Sequence, residues 1–161
     1  MAVKDYHELR VYQLACQMAV RIHELTKSFP VEERYSLTDQ VRRSSRSVCM
    51  NIAEAWCKRR YPKSFVSKLT DADGEAAETV VSLDFASHFK YISLEVHKEL
   101  TDHYDHICSQ LATMMAEPEK WVPKNTPRST LHNQHKLTEL TKQKASVSRT
   151  KALCSGIPGA I

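Results

Sequence analysis

Apolar residues recur every three or four positions through most of the first 120 residues, which is the spacing of one face of an α-helix. Prolines and capping residues divide this pattern into four segments with short connections. We predict helices over roughly residues 6–27, 37–58 and 62–91, and from 93 to just before Pro118. Short connections favour antiparallel neighbours, so the predicted fold is all-α, an up-down-up-down four-helix bundle within a domain of residues 1–121.

The second predicted helix has an apolar stripe on one side and arginines on the other. Ser36 with Asp39 resembles a capping box and marks its start. The apolar stripe then runs from Leu37 to Trp56. On the opposite side, within about 100° of one another, lie Arg42, Arg43 and Arg46.

A second basic group follows where this helix is predicted to end. Pro62 forbids simple continuation, and Tyr61 offers a ring on which a nucleic-acid base can stack. The cations around the tyrosine are Lys58, Arg59, Arg60 and Lys63. Together with the three arginines, these residues are the predicted nucleic-acid contacts, mainly to phosphates. The alternative is a solvated charged face, which is common on helices.

Charge is separated along the chain, although the net charge is only +4. Residues 34–68 hold nine lysines and arginines against two acids, whereas residues 69–108 hold nine acids against two lysines. Such a dipole steers a polyanion to one surface, or docks the acidic half of one copy on the basic half of another. Both interpretations favour assembly or nucleic-acid binding over catalysis.

Composition argues against several other classes of protein. No apolar run approaches the roughly 20 residues of a membrane span, and residues 1–8 lack the apolar region of a signal peptide. The five cysteines show no C-x-x-C spacing and are typical of reduced thiols. We expect a cytoplasmic protein without a membrane association.

No residue pattern indicates catalysis or a cofactor. Three glycines are unusually few for a fold with a phosphate-binding loop, and the second-helix serines Ser44, Ser45 and Ser47 have no histidine nearby in sequence. His103 and His106 lie one turn apart beside two aspartates, but such a face is commoner without a metal ion. We expect no enzymatic activity, no cofactor and no metal site.

Two helices carry more apolar surface than one core requires, which predicts subunit contacts. On the first helix the spare residues are Leu9, Cys16 and Val20. On the third they are Val81, Phe85 and Phe89. The alternative is a broad core face in a closely packed bundle.

Residues 122–161 differ in character from the rest of the chain. They hold seven lysines and arginines against one acid, with few large apolar residues. We predict a basic, disordered tail, either adding phosphate contacts or serving as an inert extension.

Several motifs resemble one known family over roughly residues 5–115. Gln40-Val41-Arg42-Arg43, Arg46-Ser47-Val48 and Asn51-Ile52-Ala53-Glu54 resemble the signature of the 23S rRNA intervening-sequence proteins. This resemblance implies a four-helix bundle that closes into a homo-oligomeric ring, typically a pentamer, without an established activity. A related group comprises the accessory variability proteins of diversity-generating retroelements, which bind nucleic acid and a reverse transcriptase.

Two residues of that signature, Asn51 and Glu54, are expected to have structural roles. Glu54 is expected to pair with an arginine such as Arg34 rather than to act as a base. The family usually has glycine where this chain has Ala55, so the second helix is expected to continue further. The sequence thus favours a non-enzymatic, oligomeric RNA-binding protein. The alternatives are a retroelement accessory protein and a protein-interaction scaffold.

Overall fold

The computed structural model describes residues 3–123 and places four α-helices in this part of the chain. The helices are α1 (Arg10–Leu25), α2 (Leu37–Lys58), α3 (Pro62–His88) and α4 (Leu94–Ala116). Short 3-10 turns precede α1, link α1 to α2 and follow α4. The predicted helices are confirmed, with ends that move by a few residues. Apart from Val122 and Pro123, the predicted tail lies outside the described residues.

Each helix packs against the next one in sequence, and α1 also packs against α4. This is the neighbour pattern of the predicted up-down-up-down bundle. One core runs between the helices. Its largest fully buried side chains include Tyr104, Phe65, Ile22, Ile52, Leu69 and Leu100.

The start of α2 differs from the predicted capping box. Ser36 makes no side-chain cap, and its hydroxyl instead donates to the carboxylate of Glu33. The same carboxylate accepts from the backbone N–H of Leu37 at 3.2 Å, so Glu33 supplies the cap. These bonds hold the pKa of Glu33 below its usual value. The preceding 3-10 turn, Val31–Tyr35, brings Glu33 into reach, a geometry that the S-x-x-D pattern does not specify.

The second helix extends past position 55, as predicted from the alanine found there. Ala55 is fully buried and the helix continues to Lys58, while Pro62 opens α3 after a three-residue turn. Trp121 of the last 3-10 turn packs edge-on against Trp56 at 6.4 Å and close to Phe65. The aromatic rings therefore close the end of the bundle at which α2 meets α3.

Among residues 3–123, no helix is both long enough and apolar enough to cross a membrane.

Candidate nucleic-acid interface

The three arginines of α2 do not form the single surface that their helical spacing predicts. Arg42 is half-buried and turns toward α1, where its Nε donates to the Thr26 hydroxyl at 2.7 Å. Arg43 and Arg46 instead line a groove between α2 and α3. The prediction of one arginine face was wrong because side chains within about 100° on a helix in a bundle still point to different neighbouring helices.

The groove between α2 and α3 has a volume of about 810 Å³ and walls of opposite charge. Arg43 and Arg46 lie on the α2 side, and Glu75 and Glu78 lie on the α3 side. Asp39 also reaches Arg43, with an oxygen 3.9 Å from Nη1. Carboxylates this close repel phosphate, so the groove suits a partner that carries both signs of charge.

Two of the predicted cations in the turn between α2 and α3 are already engaged within the chain. Lys58 lies 2.6 Å from a carboxylate oxygen of Glu54. Arg59 places its guanidinium 4.0 Å from the centre of the Trp56 ring and donates to the Trp56 carbonyl at 2.6 Å. A cation–π contact and a backbone hydrogen bond hold the Arg59 head group against the bundle.

Arg60, Tyr61 and Lys63 extend from the same turn into solvent, and Tyr61 is 54% exposed. Within the described part of the chain, no carboxylate forms an ion pair with Arg60 or Lys63. These three residues, which we call the basic turn, therefore combine uncompensated charge with an exposed ring.

Glu54 of the family signature pairs with lysines and not with Arg34. One oxygen contacts Lys58 on the same helix, and the other lies 3.0 Å from Lys68 of α3. The two lysines hold the pKa of Glu54 below its usual value. Asn51, one turn earlier, is half-buried and donates to the Ser47 hydroxyl at 3.4 Å. Arg34 lies on the loop before α2, at the other end of the helix.

The spare apolar residues predicted on α1 are mostly part of the core. Leu9 is only 4% exposed and Cys16 is half-buried, so neither offers a free surface, while Val20 is exposed. On this side of α1, Tyr6 of the N-terminal turn packs on Tyr12, and Cys16 lies beside Cys49 of α2. The burial of Leu9 and Cys16 favours the broad core face, whereas Val20 stays a predicted subunit contact.

The predicted stripe on α3 does reach solvent. Val81, Phe85 and Phe89 are each about half exposed, and the two phenylalanine rings stack at 6.0 Å. Sequence reasoning missed Tyr35 and Met50, two exposed side chains on the rim of the α2–α3 groove. At 100° per residue, Met50 falls between Arg46 and Arg43 around α2, so its place beside these arginines could have been predicted from the sequence.

The titratable groups of residues 3–123 do not gather around a candidate metal position. No group of three or more histidines, cysteines or carboxylates in this range is placed to hold a metal ion. Burial raises the pKa of the Cys49 thiol far above its usual value and that of Cys108 to about 12. Both thiols are therefore protonated and weakly nucleophilic at neutral pH.

These features define a class of protein, an antiparallel four-helix bundle with a basic turn at one end. The chain belongs to the 23S rRNA-intervening sequence protein family, whose pattern matches residues 7–113. A crystal structure of a protein with unknown function from the S23 ribosomal protein family of Bacteroides thetaiotaomicron is similar to it. The two share 28% identity over 66% of this chain and 95% of the other, with a TM-score of 0.60. No curated protein matches the chain.

Proposed function

We propose that this protein is a non-enzymatic RNA-binding protein that acts as a homo-oligomer and contacts phosphates through the basic turn. The observation that carries the proposal is the exposure of Arg60, Tyr61 and Lys63 without a carboxylate partner among the described residues. Cations that are not neutralised by the protein gain most from a phosphate, and a neighbouring aromatic ring adds base stacking. The family description, which names 23S rRNA, supports RNA as the nucleic acid.

Of the seven cations predicted to bind nucleic acid, Arg60 and Lys63 are the best suited. Lys58 and Arg59 support them by shaping the turn, since each is held by a contact within the bundle. Arg43 and Arg46 lie beside acidic side chains and contribute less. The proposal places the protein in the cytoplasm, where ribosomal RNA is found.

Assembly strengthens binding through repetition of this weak site. The stripe Val81, Phe85 and Phe89 supplies an apolar contact for a second copy, and the family resemblance favours a closed ring of five. Each copy presents one basic turn. Once an RNA strand has bound one turn, the effective concentration of the strand at the neighbouring turns is high, so its overall affinity for the ring increases. Assembly would thus compensate for the two free cations that each basic turn supplies.

The α2–α3 groove favours a second candidate function, a scaffold for a protein partner. Its walls of opposite charge and its exposed Tyr35 and Met50 resemble a protein-binding surface more than a phosphate-binding one. A reverse transcriptase is the partner that the related retroelement proteins suggest. In this case the groove binds the protein and the basic turn remains available to nucleic acid.

RNA-binding measurements as a function of salt test the proposal. The double variant Arg60→Gln/Lys63→Gln should reduce the slope of log affinity against log salt by about one to two units, since each lost phosphate contact removes somewhat under one. Arg21→Gln/Lys98→Gln removes the same two residue types from exposed positions on α1 and α4, nearer the opposite end of the bundle, and is the matched control. Tyr61→Ala should weaken binding to single strands more than to duplexes.

Equal slopes for the parent, the turn variant and the control would contradict RNA binding by the basic turn. If the groove variant Arg43→Glu then loses a protein partner while RNA binding is unchanged, the scaffold function is the better description.

A further inference from the structure

A separate cavity of about 300 Å³ lies where the end of α1, the following loop and the start of α2 meet. Three cations line it, namely Lys27, Arg34 and Arg42. Arg42 precedes the last residue of α2 by sixteen positions, which is about 24 Å along a helix that rises 1.5 Å per residue. The cavity is therefore remote from the basic turn, and its role is independent of the function proposed above.

Arg42 is held in the cavity wall by hydrogen bonds to α1. Its Nε donates to the Thr26 hydroxyl at 2.7 Å, and Nη2 donates to the carbonyl of His23 at 3.4 Å. The Thr26 hydroxyl, itself buried, donates to the Ile22 carbonyl at 2.8 Å and so fixes the position of the guanidinium. Within residues 3–123, no carboxylate forms an ion pair with this half-buried Arg42. A guanidinium has five N–H donors, so donors remain for a ligand.

Thr38 provides a second, independent sign of a missing partner. Its side chain lines the same cavity and is only 5% exposed, yet its hydroxyl has no hydrogen-bond partner among the described residues. Burying a hydroxyl without a hydrogen-bond partner carries a cost in stability. A ligand oxygen in the cavity would remove this cost, because rotation about one side-chain bond redirects the hydroxyl.

The charge of the cavity fits a doubly charged anion. Lys27 is partly neutralised, because its Nζ lies 2.7 Å from a carboxylate oxygen of Glu24. Arg34 is exposed and, like Arg42, has no ion-pair partner in the described part of the chain. These two guanidinium groups lack an ion-pair partner, although Glu24 lies near enough to Arg42 to screen part of its charge, and they suit the charge of about −1.5 to −2 that a phosphate monoester carries at neutral pH. A carboxylate, with a single charge, would leave one of them unpaired.

We propose that this cavity binds a phosphate monoester group. Arg42 and Arg34 pair with its oxygens, the Thr38 hydroxyl donates to it, and Lys27 adds a screened positive charge. The volume lies at the lower limit of small-molecule sites, which suits a phosphate with an attached sugar rather than a duplex. The group is either free in solution or the 5′ end of a nucleic-acid strand, and both sources share this chemistry.

Calorimetric titration with inorganic phosphate at constant ionic strength tests for the site, with acetate as the monocarboxylate comparison. We expect saturable binding of one phosphate per chain and at least about tenfold weaker binding of acetate. Fluorescence anisotropy with a short RNA in its 5′-phosphorylated and 5′-hydroxyl forms separates the two sources. A preference for the phosphorylated strand identifies the strand end as the source, and phosphate binding without that preference identifies a free phosphate.

Single substitutions assign the binding to the cavity. Arg42→Gln should weaken phosphate binding by about tenfold or more, and Arg34→Gln by several-fold. Thr38→Val, which keeps the shape of the side chain, should weaken it by a few-fold while leaving the folded state at least as stable. The matched control is Arg10→Gln, which removes one exposed arginine at the other end of α1 and should change the affinity less than about twofold.

Two results would overturn the proposal. One is the absence of saturable phosphate binding at millimolar concentration together with equal binding of the two RNA forms. The other is an unchanged phosphate affinity in both Arg34→Gln and Thr38→Val. Arg34 is exposed, so its substitution tests the site even if Arg42→Gln fails to fold. The titration uses no RNA, so its outcome does not depend on binding by the basic turn.

Discussion

Glu54 of α2 and Lys68 of α3 form an ion pair of 3.0 Å that joins the two most extensively packed helices of the bundle. Lys58 contacts the other oxygen of Glu54, and Asp71 contacts Lys68 from the opposite side. The pKa of Lys68 is raised by its two carboxylate neighbours, as that of Glu54 is lowered by its lysines. Glu54 of the family signature thus links α2 to α3 by ion pairs near the basic turn.

Glu54→Gln should therefore reduce stability at neutral pH in a pH-dependent manner. Because the folded-state pKa lies below the ordinary value of 4.5, the contribution of Glu54 is fully present above that value. It is lost as the pH falls through the lower folded-state pKa. Urea unfolding of the parent and the variant should show a difference that is constant near pH 7 and disappears in acid. A difference in stability that persists unchanged in acid would mean that Glu54 does not stabilise the fold through its ion pairs.

The bundle was predictable because its signals are local. The apolar spacing of three and four residues identifies the four helices, and Pro62 and Ser93 mark the starts of α3 and α4, since each acts within one turn of its own helix. The Ser93 hydroxyl accepts from the N–H of Val96 at 3.3 Å, as expected for a cap. The cap by Glu33 was missed because it depends on a 3-10 turn rather than on helical spacing.

The end of α3 contains a left-handed residue that is not glycine. Lys90 has a φ of 61° and occupies the position after the C-cap, with the N–H of Tyr91 donating to the Ala86 carbonyl at 2.8 Å. This is a Schellman motif, in which glycine is preferred. Lys90→Gly should stabilise the fold by about 1 kcal/mol, seen as a higher urea midpoint. Lys90→Ala, which keeps the Cβ atom, is the control and should change little.

Tyr104 of α4 is fully buried, and its hydroxyl has no hydrogen-bond partner among the described residues. Burial raises the pKa of Tyr104 far above its ordinary value of 10, and the nearby Thr79 hydroxyl offsets only part of this effect. Tyr104 is therefore a neutral phenol in the folded protein. Because the pKa of Tyr104 is lower in the unfolded chain, its ionisation there favours unfolding as the pH rises above about 10.

Tyr104→Phe should therefore be neutral or stabilising by up to about 1 kcal/mol at pH 7, because it removes an unpartnered hydroxyl. In urea unfolding at about pH 11, the variant should lose less stability than the parent. Tyr12, whose pKa is raised to about 12 chiefly by its hydrogen bond with Cys16, accounts for part of the alkaline sensitivity that remains. A large loss of stability at pH 7 would show that the hydroxyl has a partner after all.

The candidate sites were less predictable than the fold because they depend on which helix each side chain meets. Arg42 and Arg43 are adjacent in sequence, yet one is bonded to Thr26 and the other lies beside Asp39. No helical projection contains Thr26, which lies at the end of another helix. Likewise Leu9 would lie on the surface of an isolated helix, but in the bundle its side chain belongs to the core. Arg60, Tyr61 and Lys63, where α2 meets α3, are exposed as the sequence predicts, and so are Val81, Phe85 and Phe89.

The stripe on α3 tests assembly. Phe85 is 51% exposed and stacks on Phe89, so a glutamate at position 85 would place a charge in the middle of an apolar subunit contact. A charge buried without a partner costs several kcal/mol, which is enough to separate subunits.

Light scattering of the parent should give a mass several times 18.4 kDa, about five times for the proposed ring. Phe85→Glu should give a smaller species, with unchanged helix content by circular dichroism. Ala112→Glu, on the exposed side of α4, introduces the same charge away from the stripe and should leave the mass unchanged. A parent that is monomeric at micromolar concentration would exclude the ring, and RNA binding would then rest on a single basic turn.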